Sequence, residues 1–171
     1  MYFQTKRLIA RQLKPNDFDR FHHMQSNQAV MKYILGRAKT EEENAAEFNR
    51  MISEYSHSEP DKIIMGVSKI ADSTSALIGT CAITSLKEEY VEVGYRLSED
   101  NWGNGYGGEI LEGLLTYCFE DLKAKKVKAE VEKDNIPSVR ILERSPMSFV
   151  REYDDGDTIV RLYVIEKKHS D

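Results

Sequence analysis

Four of the ten glycines in this 171-residue chain fall within the segment Trp102-Gly103-Asn104-Gly105-Tyr106-Gly107-Gly108-Glu109. Apolar residues follow at Ile110, Leu111, Leu114, Leu115, Cys118, Phe119 and Leu122, the stripe of a helix with one buried face. A glycine-rich turn that opens a helix presents main-chain N–H groups without partners, and glycine lets an anion approach them closely. That chemistry suits a phosphate. Gly103, Gly105 and Gly108 also fit the spacing of a dinucleotide fingerprint, with Glu130 downstream where a ribose-binding acid would stand. Against that fit, the polar spacer Ser98-Glu99-Asp100-Asn101 sits where a tight strand-to-turn junction is needed. Residues 90–97 alternate rather than running continuously apolar, and too little chain follows Glu130 for a second mononucleotide half. No Lys-Ser/Thr pair follows the glycines, which excludes the phosphate loop of NTPases. A glycine-rich corner without a ligand is the plain alternative.

The elements that must position this turn can be read from periodicity. Strands are predicted over residues 7–13, 63–70, 77–86, 90–97 and 126–132, and in a closing hairpin that turns at Asp154-Asp155-Gly156-Asp157 and ends over 158–166. Pro15 begins a helix to about Ser26. A second helix opens at Thr40-Glu41-Glu42-Glu43, a capping box, and carries Ala45, Phe48, Met51, Ile52 and Tyr55 on one face. A third follows the glycines and a short fourth starts at Asn135. A strand meander followed by one crossover predicts an α/β fold with an α+β mixed sheet of about seven strands and helices on both faces. No repeat or linker interrupts the chain, so a single domain over residues 1–171 is expected.

Twenty-four basic and 29 acidic side chains give a formal charge of −5, which argues against nucleic acid as the partner and tolerates a cationic substrate such as an amine. The basic cluster of residues 123–128 reads as a helix end, where cations favour the dipole. No apolar run is long enough to span a bilayer and residues 1–14 lack a signal-peptide core, so no membrane association and a cytoplasmic setting are expected. Cys81 and Cys118 read as reduced core thiols. His22, His23, His57 and His169 lack metal-ligand spacing, and no metal is expected.

Taken together, four segments resemble the GNAT superfamily of N-acetyltransferases, and within it the ribosomal-protein N-terminal (RimJ/RimL-like) branch. Thr5-Lys6-Arg7-Leu8-Ile9-Ala10-Arg11-Gln12-Leu13 is similar to its opening strand and Glu92-Val93-Gly94-Tyr95-Arg96-Leu97 to its fourth. The glycine segment matches its phosphate loop, and Asn135-Ile136-Pro137-Ser138-Val139-Arg140-Ile141-Leu142-Glu143 its Asn-x-x-Ser helix. The segments stand in the family order across nearly the whole chain.

The resemblance implies the acyl-CoA N-acyltransferase fold, acetyl-CoA as acyl donor and a primary amine as acceptor: a protein N-terminus, a polyamine or another small amine. It assigns the diphosphate to the backbone from Trp102 through Gly108, with Gly103, Asn104, Gly105, Tyr106 and Gly107 between. The pantetheine arm pairs like an added strand with Tyr95, Arg96 and Leu97, where the family's fourth and fifth strands splay. A backbone N–H beside a bulge, at Val93 or Gly94, polarises the thioester carbonyl. Glu92 is the first candidate for the base that deprotonates the amine, and Glu130 the second. Each is also a plain member of a polar-apolar alternation. Many relatives protonate the departing thiolate with a tyrosine where this chain has Leu142, so Ser138 becomes the donor, with Asn135 orienting cofactor or substrate. Ser138 fits an ordinary helix cap as well. The position of Asn104 is often basic in relatives, which removes a charge near the phosphates. Ser145-Pro146-Met147-Ser148-Phe149 is longer than the family's corner; Pro146 must stop the helix, and Ser148 stands where a left-handed glycine is usual. Homodimers are open to this branch. The alternative reading is a catalytically silent CoA-binding or regulatory module of the same fold.

Overall fold

The computed structural model of the chain describes residues 1–57 and 60–167, and the tail that holds His169 lies outside them. Eight strands form one sheet in the order β1-β2-β3-β4-β5-β6-β8-β7. In chain order the elements are β1 (Phe3–Gln4), β2 (Leu8–Arg11), α1 (Phe18–Gln25), α2 (Gln28–Met31), α3 (Glu41–Glu54), β3 (Ile63–Lys69), β4 (Leu77–Thr84) and β5 (Tyr90–Leu97). Then come α4 (Tyr106–Glu120), β6 (Lys126–Glu132), α5 (Ile136–Arg144), β7 (Ser148–Asp154) and β8 (Ile159–Glu166). The sheet is mixed because β5 and β6 alone run parallel, joined through α4.

The strand count exceeds the expected seven by β1, a two-residue strand that pairs with Ala10 and Ile9 of β2. The helix predicted from Pro15 divides into a 3-10 turn, Pro15–Asp17, and α1. The short α2 follows with Asn27 as its cap, Oδ1 accepting from the N–H groups of Ala29 and Val30. The basic cluster of residues 123–128 does not end a helix. α4 stops at Glu120, and Lys126 and Lys128 lie in β6.

Helices cover both faces of the sheet, except at its β7 edge, which is exposed. Val91, Val93 and Leu97 of β5 and Val127, Ala129 and Val131 of β6 pack on Ile110, Leu111 and Leu114 of α4 and Val139 and Leu142 of α5. On the other face Phe21, Met24, Met31, Phe48 and Met51 close the α1–α3 layer. Tyr55 ties that layer to the sheet, since its hydroxyl donates to Ile64 O and accepts from Leu13 N, each at 2.9 Å. Cys81 and Cys118 are buried free thiols, and burial pushes the Cys118 thiol up to about 12. No helix of the described residues is long and apolar enough to cross a membrane.

Candidate active site

The sheet comes apart at its middle. β5 and β6 pair only at Tyr90, Val91 and Glu92 against Lys126, Val127 and Lys128, yet each strand runs on past that point. The hydrogen-bond alternation of an antiparallel pair fixes which groups face the opening. Ser98 N–H bonds Ile78 O at 3.0 Å in the same register that pairs Arg96 with Thr80, Gly94 with Ala82 and Glu92 with Thr84. Glu92, Gly94 and Arg96 of β5 therefore spend their main-chain groups on β4, and the odd-numbered residues between them turn theirs toward β6. Val93 N–H serves the last parallel rung, at Lys128. Beyond it, Val93 C=O and both main-chain groups of Tyr95 face the gap.

This register changes three expectations. The β4–β5 pairing is continuous from Gly79–Leu97 to Thr84–Glu92, so β5 has no bulge; the edge is opened by strand separation instead. Neither Val93 nor Gly94 holds a free N–H, because one serves β6 and the other β4. Of Tyr95, Arg96 and Leu97, only Tyr95 presents both groups, since Arg96 is paired with β4 and Leu97 O accepts from Trp102 Nε1 at 2.9 Å.

The glycine turn meets the requirement for an anion cradle. None of the six N–H groups of residues 103–108 has an acceptor among the described residues; the first to find one is Glu109, which bonds Gly105 O. Gly103 and Gly105 hold φ of 73° and 77°, the left-handed region that a side chain disfavours. Asn104 pins the turn through Nδ2 to Trp102 O at 2.9 Å rather than pointing outward. Positive charge arrives from a strand away. Arg7 donates through Nη1 to Asn104 O at 3.0 Å, pairs with Glu109 at 2.6 Å and lies 4.6 Å from the Tyr106 ring centre, with Lys69 at 5.6 Å. Burial pushes Glu109 up, and the bonds from Thr5 and Arg7 outweigh it, so its carboxyl sits below the usual range.

A cavity of about 180 Å³ lies at the gap, lined among others by Gly94, Tyr95, Glu130, Asn135, Ser138 and Tyr33. Asn135 caps α5, with Oδ1 accepting Ser138 N–H at 3.4 Å. The cap is thus Asn135, and the Ser138 hydroxyl is not spent on it. Beside it lies Tyr95, whose phenol is pushed up by burial while Ser138 opposes the shift. A Cβ on Gly107 would stand 2.7 Å from the Tyr95 oxygen, so the phosphate turn, β5 and α5 meet at this hydroxyl. Leu142 lines the same cavity.

Glu92 and Glu130 occupy the opposite sheet face from Tyr95 and Ser138 and share one cation. Lys128 Nζ is 3.1 Å from Glu92 and 3.6 Å from Glu130. Burial pulls the Lys128 ammonium down, but the two carboxylates prevail and its pKa is raised. Glu130 lies beyond the split and lines the cavity, whereas Glu92 sits on the last paired rung. The corner after α5 is closed by Ser145, whose Oγ donates to Leu142 O at 2.7 Å and accepts from Met147 N at 3.1 Å. Ser148 begins β7 in extended backbone, so no left-handed residue is required there. No group of three or more His, Cys, Asp or Glu that could hold a metal ion occurs among the described residues.

The sequence alone points to Tyr95 through its main chain only, and not to the Arg7 side chain, Lys69 or Tyr33. Each is brought in by contacts distant in sequence that no local pattern encodes.

A parted sheet beside an open phosphate turn defines an acyl-CoA-type transferase architecture, and the comparisons agree. The acetyltransferase (GNAT) domain family matches residues 7–148. An uncharacterized N-acetyltransferase of Bacillus licheniformis, p20, is 30% identical over 151 residues, covering 86% of this chain and 82% of its own. Among solved structures, a GNAT-family acetyltransferase from Bacillus anthracis superposes with a TM-score of 0.83 at 23% identity, over 97% of this chain and 98% of that one. Spermidine N-acetyltransferase from Vibrio cholerae, in complex with CoA and spermine, gives 0.76 at 18% identity, over 94% and 95%. The chain belongs to the GNAT family, and it is an acetyl-CoA-dependent N-acetyltransferase.

Proposed function

We infer that this N-acetyltransferase moves the acetyl group of acetyl-CoA to a primary amine by direct attack in a ternary complex, in the manner of the RimJ/RimL-like branch. The carrying observation is the run of six open N–H groups at residues 103–108, beside a gap lined by Tyr95, Asn135 and Ser138. Those N–H groups, with Trp102 and Asn104 fixing the turn, would hold the diphosphate, and Arg7 and Lys69 add positive charge. Tyr95 receives the pantetheine arm as an added strand, which converts a two-body encounter into an aligned one. The apex at Val93 and Gly94 sets the depth of the thioester, and Tyr95 N–H is the nearest open donor to its carbonyl.

The thioester supplies an activated acetyl group; the protein manages the protons. The nitrogen–carbon bond forms and the carbon–sulfur bond breaks. Of the two protons an ammonium loses, Glu130 or Glu92 passes one to water, and the Ser138 hydroxyl, backed by Tyr95, leads the other to sulfur. A catalytically silent CoA-binding module is the second reading, favoured by Leu142 and by the pairing of both carboxylates with Lys128. Steady-state release of free CoA with a panel of amines separates the two. Release that depends on an amine supports transfer; bound acetyl-CoA with no release for any amine supports the silent module.

A further inference from the structure

Among the described arginines, Arg96 alone is not exposed and yet has no carboxylate within 4.0 Å. A guanidinium carries five N–H donors. That of Arg96 makes one hydrogen bond among the described residues, to Gln25 Oε1 on α1. Burial holds its pKa below the ordinary value, with the nearby Glu47 opposing only part of that shift. Glu47 is already engaged, by Lys39 and by Gln25 Nε2 at 2.9 Å. Two cations against one carboxylate leave this cluster with one net positive charge. A partly desolvated planar fork with spare donors is matched by a carboxylate, which takes two parallel bonds.

Position adds the second observation. Glu92, Gly94 and Arg96 line one face of β5 at alternate residues, roughly 6 to 7 Å apart. Gly94 lies open, with nothing within 4 Å of where a Cβ would stand, and lines the gap cavity with Tyr33 and Glu130. On the far side of Arg96, Ser98 lines a second cavity of about 310 Å³ with His23, Met24, Asn27, Glu99 and Asp100, whose acids make that side unsuited to a carboxylate and leave the Gly94 side for it. Glu92 and Glu130 share only Lys128, so a net negative charge flanks Gly94 on one side while Arg96 flanks it on the other. A zwitterion fits that order head to tail, its amine over Gly94 and its carboxylate on Arg96.

We propose that Arg96 anchors a carboxylate of the acceptor, so that the substrate amine is a small free amino acid rather than a polyamine or a protein N-terminus. This rests on the transfer reading above. The test measures CoA release with standard α-amino acids, β-alanine and γ-aminobutyrate, each against its carboxamide, with spermidine and an amidated peptide alongside. At least one free acid is expected to exceed its amide by about tenfold in kcat/KM, mostly through KM, the scale of a charge-assisted bond. Arg96→Gln should erase that difference, and Arg96→Lys, which keeps charge but not the fork, should restore part of it; a melting temperature near wild type certifies folding. Equal or better use of amides, spermidine or peptide overturns the carboxylate anchor and leaves transfer intact. So does a preference that survives Arg96→Gln. No release with any amine overturns both.

Discussion

Lys128 cannot satisfy Glu92 and Glu130 equally, since its ammonium lies nearer the former, at 3.1 Å against 3.6 Å. The more loosely held carboxylate is also the one that borders the cavity. Glu130→Gln is therefore expected to lower kcat about 100-fold, within the usual range for a general base, and Glu92→Gln by less, as read by CoA release at saturating acetyl-CoA. Equal effects, or a larger one at Glu92, would move the base to the paired rung. On the other sheet face, the proposed transfer routes one proton through Ser138 and Tyr95 together. Ser138→Ala and Tyr95→Phe should each slow turnover, and the double variant should lose less than the product of the two, because the pair works as one unit. Multiplicative losses would separate them.

Helix α3 shows how an element can be announced by its own ends. Thr40 Oγ1 accepts Glu43 N–H at 3.2 Å, Glu43 accepts Thr40 N–H at 2.9 Å, and Arg37 pairs with Glu43 at 2.6 Å. The Arg37 hydrogen bond, then that from Thr40, holds the Glu43 carboxyl down at about 2. A depressed pKa contributes stability above the ordinary carboxylate range and loses it as pH falls toward about 2. Thr40→Ala should cost about 1 kcal/mol in urea melts at neutral pH, and Glu43→Gln should flatten the acid side of the stability profile. The box was legible because its partners are three residues apart. By contrast the end of α4 was not, since its apolar stripe runs on to Leu122 past the last helical residue, Glu120. The stop is Lys123 at φ 56°, with Ala124 N–H bonding Cys118 O at 2.9 Å, a left-handed closure without the glycine that usually signals one. β1 escaped because two residues carry no period. The glycine turn and the Asn135 cap were readable as local motifs, whereas the register that commits the Gly94 N–H to β4 rather than the gap belongs to β4 as much as to β5.

At the scale of the molecule, the parted sheet and the glycine turn are held as one unit by the contact of Gly107 with Tyr95 and Ile141. A Cβ there would lie 2.7 Å from the Tyr95 oxygen and 2.8 Å from Ile141 Cδ1. Gly107→Ala should lower unfolding free energy by roughly 1–3 kcal/mol through overpacking and weaken acetyl-CoA binding at the same time. Wild-type protein should gain about 2.7 kcal/mol when acetyl-CoA reaches 100 times its Kd, and calorimetric melts of the two proteins read both effects. The mixed sheet with helices on both faces follows from the order of the elements, but the depth of its opening follows from where β5 and β6 stop pairing, which no run of residues states.

The Tyr95 main chain carries a kinetic signature of this opening. Amides at the centre of a broad sheet are ordinarily the last to trade their protium for deuterium, whereas Tyr95, on the fifth of eight strands, should trade as readily as a surface turn. Its neighbours Gly94 and Arg96, bonded to β4, should lag far behind it. Seating the thioester would then turn the fastest isotopic clock in the strand into a slow one, reporting occupancy without any turnover at all.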